Sequence, residues 1–185
     1  LKDAGLKRIT VSLDALDDET FKKMNGRGFG THRVLLGIPR AEEAGLSPIK
    51  INAVVQKGVN DHAVVDLARH FKGTGNIVRF IEYMDVGNRN GWKLDEVVPA
   101  AEIIRRINEE MPIEPLEGSY RGEVVTRYRY KDGEGEVGVI SSVSAPFCGD
   151  CTRSRISTDG SIYTCLFAAN GVSLRDPLRA GATDD

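Results

Sequence analysis

The chain has 185 residues, 41% hydrophobic and 28% charged, the balance of a soluble globular protein of one domain, or one and part of another. Lys+Arg 25 against Asp+Glu 27 leaves a net charge of -2, which argues against a globally basic nucleic-acid binder. No apolar run approaches the roughly 20 residues of a membrane span, and no signal peptide opens the sequence. The opening, Leu1-Lys2-Asp3-Ala4-Gly5-Leu6, reads as a helix tail capped by Gly5. The last residues, Arg179 to Asp185, lack a closing element, so both ends are those expected of a piece of a longer chain.

Lys7 to Ala15 alternates, with Ile9, Val11 and Leu13 on one side, and predicts a strand. Asp17 or Asp18 caps a short helix through Met24. Gly26 to Gly30 is a linker: Thr31 stands where a dinucleotide fingerprint needs its third glycine. Thr31 caps the next helix, which turns Val34, Leu35, Ile38 and Ala41 inward and ends at Gly45. Pro48 to Val55 is the second strand, with Ile49, Ile51, Ala53 and Val55 on one face. Asn60 caps a helix carrying Val64, Val65, Leu67, Ala68 and Phe71, and Ile77 to Met84 is the third strand. Strands alternating with helices predict βαβ units and a parallel sheet.

Ser12, Asp14, Lys50, Asn52, Arg79 and Glu82 interrupt these strands, where strands covered on both faces would read as continuous apolar runs. Parallel α/β folds bind ligands at the C-terminal ends of their strands. The interruptions therefore predict a polar pocket there, with Lys50 and Arg79 mid-strand, where desolvation is expensive without a partner.

After Met84 the pattern changes. Asp85 to Gly91 is turn-rich, Pro99 begins a helix through about Met111, and short strands follow at Glu123 to Tyr130, Glu136 to Ser142, Arg155 to Thr158 and Ser161 to Cys165. Asp159-Gly160 predicts a two-residue hairpin turn between the last two. A second subdomain is expected from about residue 95.

The three cysteines, Cys148, Cys151 and Cys165, are too few and odd in number for a disulfide framework. Cys148 and Cys151 form a CxxC, and the hairpin carries Cys165 back toward them. Three soft ligands suit an iron–sulfur cluster, a zinc ion or a redox pair. His32, His62 and His70 fall on helices of the other half and read as surface residues. Without a fourth protein ligand, a [4Fe-4S] cluster with one open iron is the best fit. Arg153 and Arg155, two apart in an extended segment, present guanidiniums to one face and suit a phosphate or another anion.

Val11-Ser12-Leu13-Asp14-Ala15, Lys50-Ile51-Asn52, Arg79 to Met84, Phe147 to Arg155, Asp159-Gly160 and Cys165-Leu166-Phe167 together resemble the GTP 3′,8-cyclases of molybdenum cofactor biosynthesis, the MoaA type, over essentially the whole chain. The resemblance implies a radical S-adenosylmethionine lyase that converts GTP to 3′,8-cyclo-7,8-dihydro-GTP. The implied fold is α/β: residues 1–94 are three βα units, the C-terminal half of an incomplete (βα)₆ TIM-like barrel. Residues 95–185 are an α+β subdomain that binds an iron–sulfur cluster and GTP. Carried over residue by residue, Cys148, Cys151 and Cys165 hold a second, substrate-binding [4Fe-4S] cluster whose open iron takes the guanine. Lys50, Arg79, Arg153, Ser154 and Arg155 contact GTP, and Ser12 and Met84 contact S-adenosylmethionine.

The family's first cluster uses a CxxxCxxC motif that this sequence does not contain, so the chain alone is expected not to turn over. The implied pathway partner is cyclic pyranopterin monophosphate synthase, and the implied compartment is the cytoplasm. No nucleic-acid or membrane partner is expected, and a homodimer stays open. Two other readings fit the same residues: a structural zinc-binding module, and a related radical S-adenosylmethionine enzyme with an auxiliary cluster and another substrate.

Overall fold

The structure, a computed structural model, describes residues 1–85 and 91–183. In chain order the elements are β1 (Thr10–Ser12), α1 (Asp18–Asn25), α2 (His32–Glu43), β2 (Lys50–Val55), α3 (Val64–Phe71), β3 (Ile77–Glu82) and α4 (Ala100–Glu110). They continue with β4 (Ile113–Pro115), β5 (Thr126–Tyr130), β6 (Glu136–Ile140), β7 (Arg155–Ile156), β8 (Ser161–Tyr163), β9 (Val172–Ser173) and α5 (Arg175–Arg179). Of the turn-rich stretch expected after Met84, residues 86–90 lie outside the described residues, as do Asp184 and Asp185 at the chain end.

Leu1–Phe147 is one compact unit and Cys148–Asp185 another. The first is a mixed α/β layer. Its six-stranded sheet runs β1-β2-β3-β6-β5-β4, with β1, β2, β3 and β6 parallel and β5 and β4 antiparallel at the far edge. The sheet thus continues across residue 95, where the sequence pattern changes. The second unit carries the three-stranded antiparallel sheet β7-β8-β9.

Strand parity decides what the sheet buries. Ile51, Ala53 and Val55 of β2, Val78 and Phe80 of β3, and Val137 and Val139 of β6 share one core with Phe21, Ile38, Leu67, Phe71, Ile103 and Ile107 from the helices. β2 and β3 both alternate half-buried and buried along their length, as a sheet with one helix-covered face should.

Several local expectations hold. Thr20 N–H donates to Asp17 Oδ1 at 2.8 Å, capping α1, and Gly26 closes that helix in the left-handed region at φ 60°. The strand expected over Lys7 to Ala15 is present but shorter, β1 spanning only Thr10–Ser12 beside β2.

Other local expectations are corrected. Thr31 precedes α2 but does not cap it. Its N–H and hydroxyl both donate to Asp18 Oδ1, at 2.8 and 2.9 Å, tying the linker back to α1. A side chain at Gly30 would meet that same Asp18 carboxylate, which would have to shift to admit it. Asn60 likewise does not cap. It is buried, accepts from Gln56 N–H at 2.8 Å, and donates from Nδ2 to the carbonyls of Asp14 (2.9 Å) and Val54 (2.7 Å). The amide thus bolts the ends of the first two strand segments together. The hairpin turn has three residues, not two. Ser157 N–H pairs with Ser161 O, Gly160 N–H returns to Ser157 O, and Gly160 takes φ 83°.

Glu82 was expected in a polar pocket, and the structure places it in the core instead. It is fully buried at the end of β3. Its Oε1 accepts from Ala100 N–H at 2.7 Å, and its Oε2 from Val143 N–H at 2.7 Å and Ser144 N–H at 2.8 Å. The Ser144 hydroxyl donates as well. One carboxylate therefore caps α4 and fixes the turn after β6, with its charge met by four donors. Glu82→Ala leaves three backbone N–H groups unpaired, each costing about 1–3 kcal/mol. The expected loss of unfolding free energy in urea is at least about 3 kcal/mol, and a loss below about 1 kcal/mol would refute this role.

Candidate functional site: a cationic sheet face and a thiol hairpin

The face of the sheet turned away from the helices carries a polar row. In the parallel register Ser12 pairs with Asn52, Asn52 with Arg79 and Arg79 with Gly138; Arg127 lies across from Gly138 on β5. Residues in register on neighbouring strands project to the same face. Lys50, two residues before Asn52, joins that face as the first residue of β2. The mid-strand position expected for Lys50 is thereby corrected, while Arg79 does sit inside its strand.

Arg79 Nε donates to Asn52 Oδ1 at 2.9 Å. Among the described residues, neither Lys50 nor Arg79 has a carboxylate within ion-pair distance. Arg127 behaves differently, because Glu136 clamps it with bonds of 2.7 and 2.9 Å to Nη2. Burial pulls the Lys50 ammonium below its ordinary value, and Arg79 and Arg8 pull it further, against a smaller opposing effect of Glu123. Burial also pulls the Arg79 guanidinium down. Two half-buried cations near each other, with no carboxylate at ion-pair distance among the described residues, raise the local potential and favour an anion.

Ser12 ends β1 and is exposed, and Met84 lies two residues past the end of β3. Met84 therefore does not share the strand parity of Arg79. Asp14, the remaining polar interruption, is taken by the fold: its Oδ1 accepts from Val54 N–H at 2.9 Å, and burial holds its carboxyl above the usual range.

The second unit carries the thiols. Cys148 opens a 3-10 turn, Cys148–Asp150, and Cys151 N–H returns to Cys148 O at 3.4 Å. β7 pairs with β8 through Arg155 opposite Tyr163 and Ile156 opposite Ile162. Past that pair the hairpin opens, with Cys151 on one arm and Cys165 on the other. Arg153 Nε and Nη2 each lie 3.3 Å from Cys151 Sγ, and Phe167 N–H is 3.4 Å from Cys165 Sγ. Hydrogen bonds from Arg153, with a contribution from the Arg155 charge, hold the Cys151 thiol below its usual range and favour thiolate.

All three cysteines are free; Cys148 and Cys165 are exposed and Cys151 is half-buried. Among the described residues, no three His, Cys, Asp or Glu side chains are gathered around one ion. The hairpin thus brings the two arms together without closing the thiols on one point. Three unpaired thiols, one held toward thiolate, fit an iron–sulfur cluster in donor chemistry, and the second unit contains no histidine to complete a zinc site. Ser154 is exposed between Arg153 and Arg155, and Arg155 is half-buried in β7.

The chain is thus a mixed α/β protein with a cationic sheet face in its first unit and a thiol-bearing hairpin in its second. Comparison with known proteins narrows the class. The Radical SAM superfamily model matches residues 1–71, and the model described as Molybdenum Cofactor Synthesis C matches residues 76–185. The chain belongs to the Molybdenum Cofactor Synthesis C family. Similar proteins named GTP 3′,8-cyclase include that of Acidothermus cellulolyticus, 54% identical over 97% of this chain and 50% of the relative. That of Xanthomonas axonopodis pv. citri is 52% identical over 98% of this chain and 54% of the relative. That of Staphylococcus carnosus is 47% identical over 100% of this chain and 54% of the relative. The chain spans about half the length of the curated relatives it matches. Among the described residues, no helix is long and apolar enough to cross a membrane.

The cationic face makes a stability prediction with a definite sign. The folded chain holds Lys50 below its ordinary value of 10.5, so the unfolded chain binds that proton more tightly. The charge therefore costs stability at pH 7, and the cost fades as pH rises from the lowered folded value to 10.5, above which both states are neutral. Lys50→Met should unfold at a higher urea concentration than the parent at pH 7, with the gap narrowing by pH 10. A variant less stable than the parent at pH 7 would show that Lys50 serves the fold.

Proposed function

We propose that this chain is part of a GTP 3′,8-cyclase, a radical S-adenosylmethionine lyase that converts GTP to 3′,8-cyclo-7,8-dihydro-GTP in the first step of molybdenum cofactor biosynthesis. The observation that carries the reading is the pair of cations, Lys50 and Arg79, left without a carboxylate at ion-pair distance among the described residues of the sheet face. A polyanion such as a nucleoside triphosphate supplies what the fold withholds. The whole-chain similarity to proteins named GTP 3′,8-cyclase supports guanine as the base.

On this reading residues 1–94 are the later strands of an incomplete (βα)₆ barrel, and residues 95–185 bear the cluster and GTP-binding residues. Lys50 and Arg79 take anionic groups of the substrate. Arg153, Ser154 and Arg155 are GTP-binding residues of the hairpin. Ser12 and Met84 hold S-adenosylmethionine. Cys148, Cys151 and Cys165 hold a second [4Fe-4S] cluster, which when bound supplies an open iron for the guanine. Arg153 donates to Cys151 Sγ and steadies the ligand as thiolate, a bond that also fixes the guanidinium next to an incoming anion. The first cluster falls to sequence outside this chain, whose only three cysteines are already assigned. The product passes to cyclic pyranopterin monophosphate synthase in the cytoplasm, and a homodimer is compatible with this assignment.

Anaerobic iron–sulfide reconstitution of the chain tests the reading. The expected result is about four irons per chain and an electron paramagnetic resonance spectrum altered by GTP but not by ATP. Tightly held zinc with no response to GTP would overturn it in favour of a structural knuckle. A cluster that responds equally to ATP would overturn guanine as the base.

A further inference from the structure

Asn52 stands at the centre of the polar row, and its side chain is engaged in one way that strand geometry does not require. Its Oδ1 accepts from Arg79 Nε at 2.9 Å. Arginine Nε is a donor, so the amide must present its oxygen, which fixes the amide's orientation as well as the guanidinium's. A guanidinium held through Nε is locked about its last torsion and keeps both Nη groups for a fork on an oxyanion. Among the described residues no carboxylate lies at ion-pair distance from the Arg79 guanidinium, and Tyr120 acts on its charge without a hydrogen bond to it.

The other side of Arg79 is shaped too. Gly138 is its register partner on β6. A Cβ there would stand 2.5 Å from Val125 Cγ2 and 3.5 Å from Arg79 Cγ. Position 138 is thus closed to side chains, and the Arg79 stem lies against a bare backbone where any residue but glycine would displace Val125. Arg79 is fixed on one strand neighbour by an acceptor and on the other by the absence of a side chain.

We propose that Asn52 is a positioning residue for the anion site: it holds Arg79 by Nε so that both Nη groups face an anionic oxygen of the ligand. The inference rests on the anion-site reading given above, and the test separates the two. The probe is inorganic triphosphate, bound to the 185-residue chain, together with the Arg79 Nε–H resonance in a nitrogen-15 spectrum. In the parent chain that Nε–H should exchange slowly and triphosphate should bind. Asn52→Ala should lose the protected Nε–H, leave the backbone amide spectrum of a folded chain, and weaken triphosphate about 10-fold, the loss of one charge-assisted bond. Asn52→Asp keeps the acceptor, so it should restore the protected Nε–H even though its added charge weakens triphosphate. If N52A binds triphosphate like the parent, or keeps a protected Nε–H, the positioning role is wrong while the anion site stands. If the parent chain binds no triphosphate, the anion-site reading fails and this proposal with it.

Discussion

Burying Ile51, Ala53, Val55, Val78 and Phe80 against the helices obliges the residues between them to face the other way. That constraint sets Lys50, Asn52 and Arg79 side by side. The core's apolar area, at about 25 cal/mol per Å², holds β2 and β3 in a single register, because a slip of one residue would turn every apolar side chain outward. The same register that is fixed by hydrophobic burial therefore fixes the cationic row, with no contribution needed from the cations themselves. A fold can hold an electrostatically unfavourable arrangement only if something else specifies it, and here strand parity does.

The polar residues of these strands divide by what they have already bonded. Glu82 accepts from four donors, Asn60 makes three bonds and Asp14 receives a backbone N–H. Their bonding capacity is spent on joining strand ends, a helix terminus and a turn. Lys50 and Arg79 have donors left over and sit where burial already penalises their charge. Polar groups with spent capacity are structural, and those with unspent capacity at an energetic cost are the candidates for function.

That distinction marks where the sequence stopped being legible. The parity of β2 and β3 was readable because alternation leaves a direct trace, and so was the Asp17 cap, whose partner is three residues away. The Glu82 knot was not, since its partners Ala100, Val143 and Ser144 lie 18 to 62 residues on and donate from backbone, which carries no residue signature. The positions of Thr31 and Asn60 before helical stretches permit a cap and predict one. Longer-range partners, Asp18 and the carbonyls of Asp14 and Val54, won the competition for their side chains. The joining of β6 to the parallel edge of β3 was equally hidden, because strand order follows from long-range pairing. The three-residue hairpin loop differs from the two-residue one by the pairing of Ser157 with Ser161, which Asp159-Gly160 does not encode. The thiols were legible as a set through their spacing, yet their side-chain positions were not.

The second unit raises a separate question of what orders it. Among its described residues none is buried, and Ile156, Phe167 and Val172 are 68%, 63% and 68% exposed. Three short strands and a five-residue helix cannot build a core of their own, and segments of about 40 residues usually need a metal or cross-link. If Cys148, Cys151 and Cys165 hold a cluster, ligation ties residues on the two arms of the hairpin and stabilises the unit as it forms the site, since metal binding free energy becomes folding free energy. Amide exchange reads this directly. Residues 151–165 should exchange markedly more slowly after reconstitution, while β2 and β3 stay unchanged. Equal exchange in β7 and β8 with and without the cluster would show that the hairpin is held by its own backbone pairing alone.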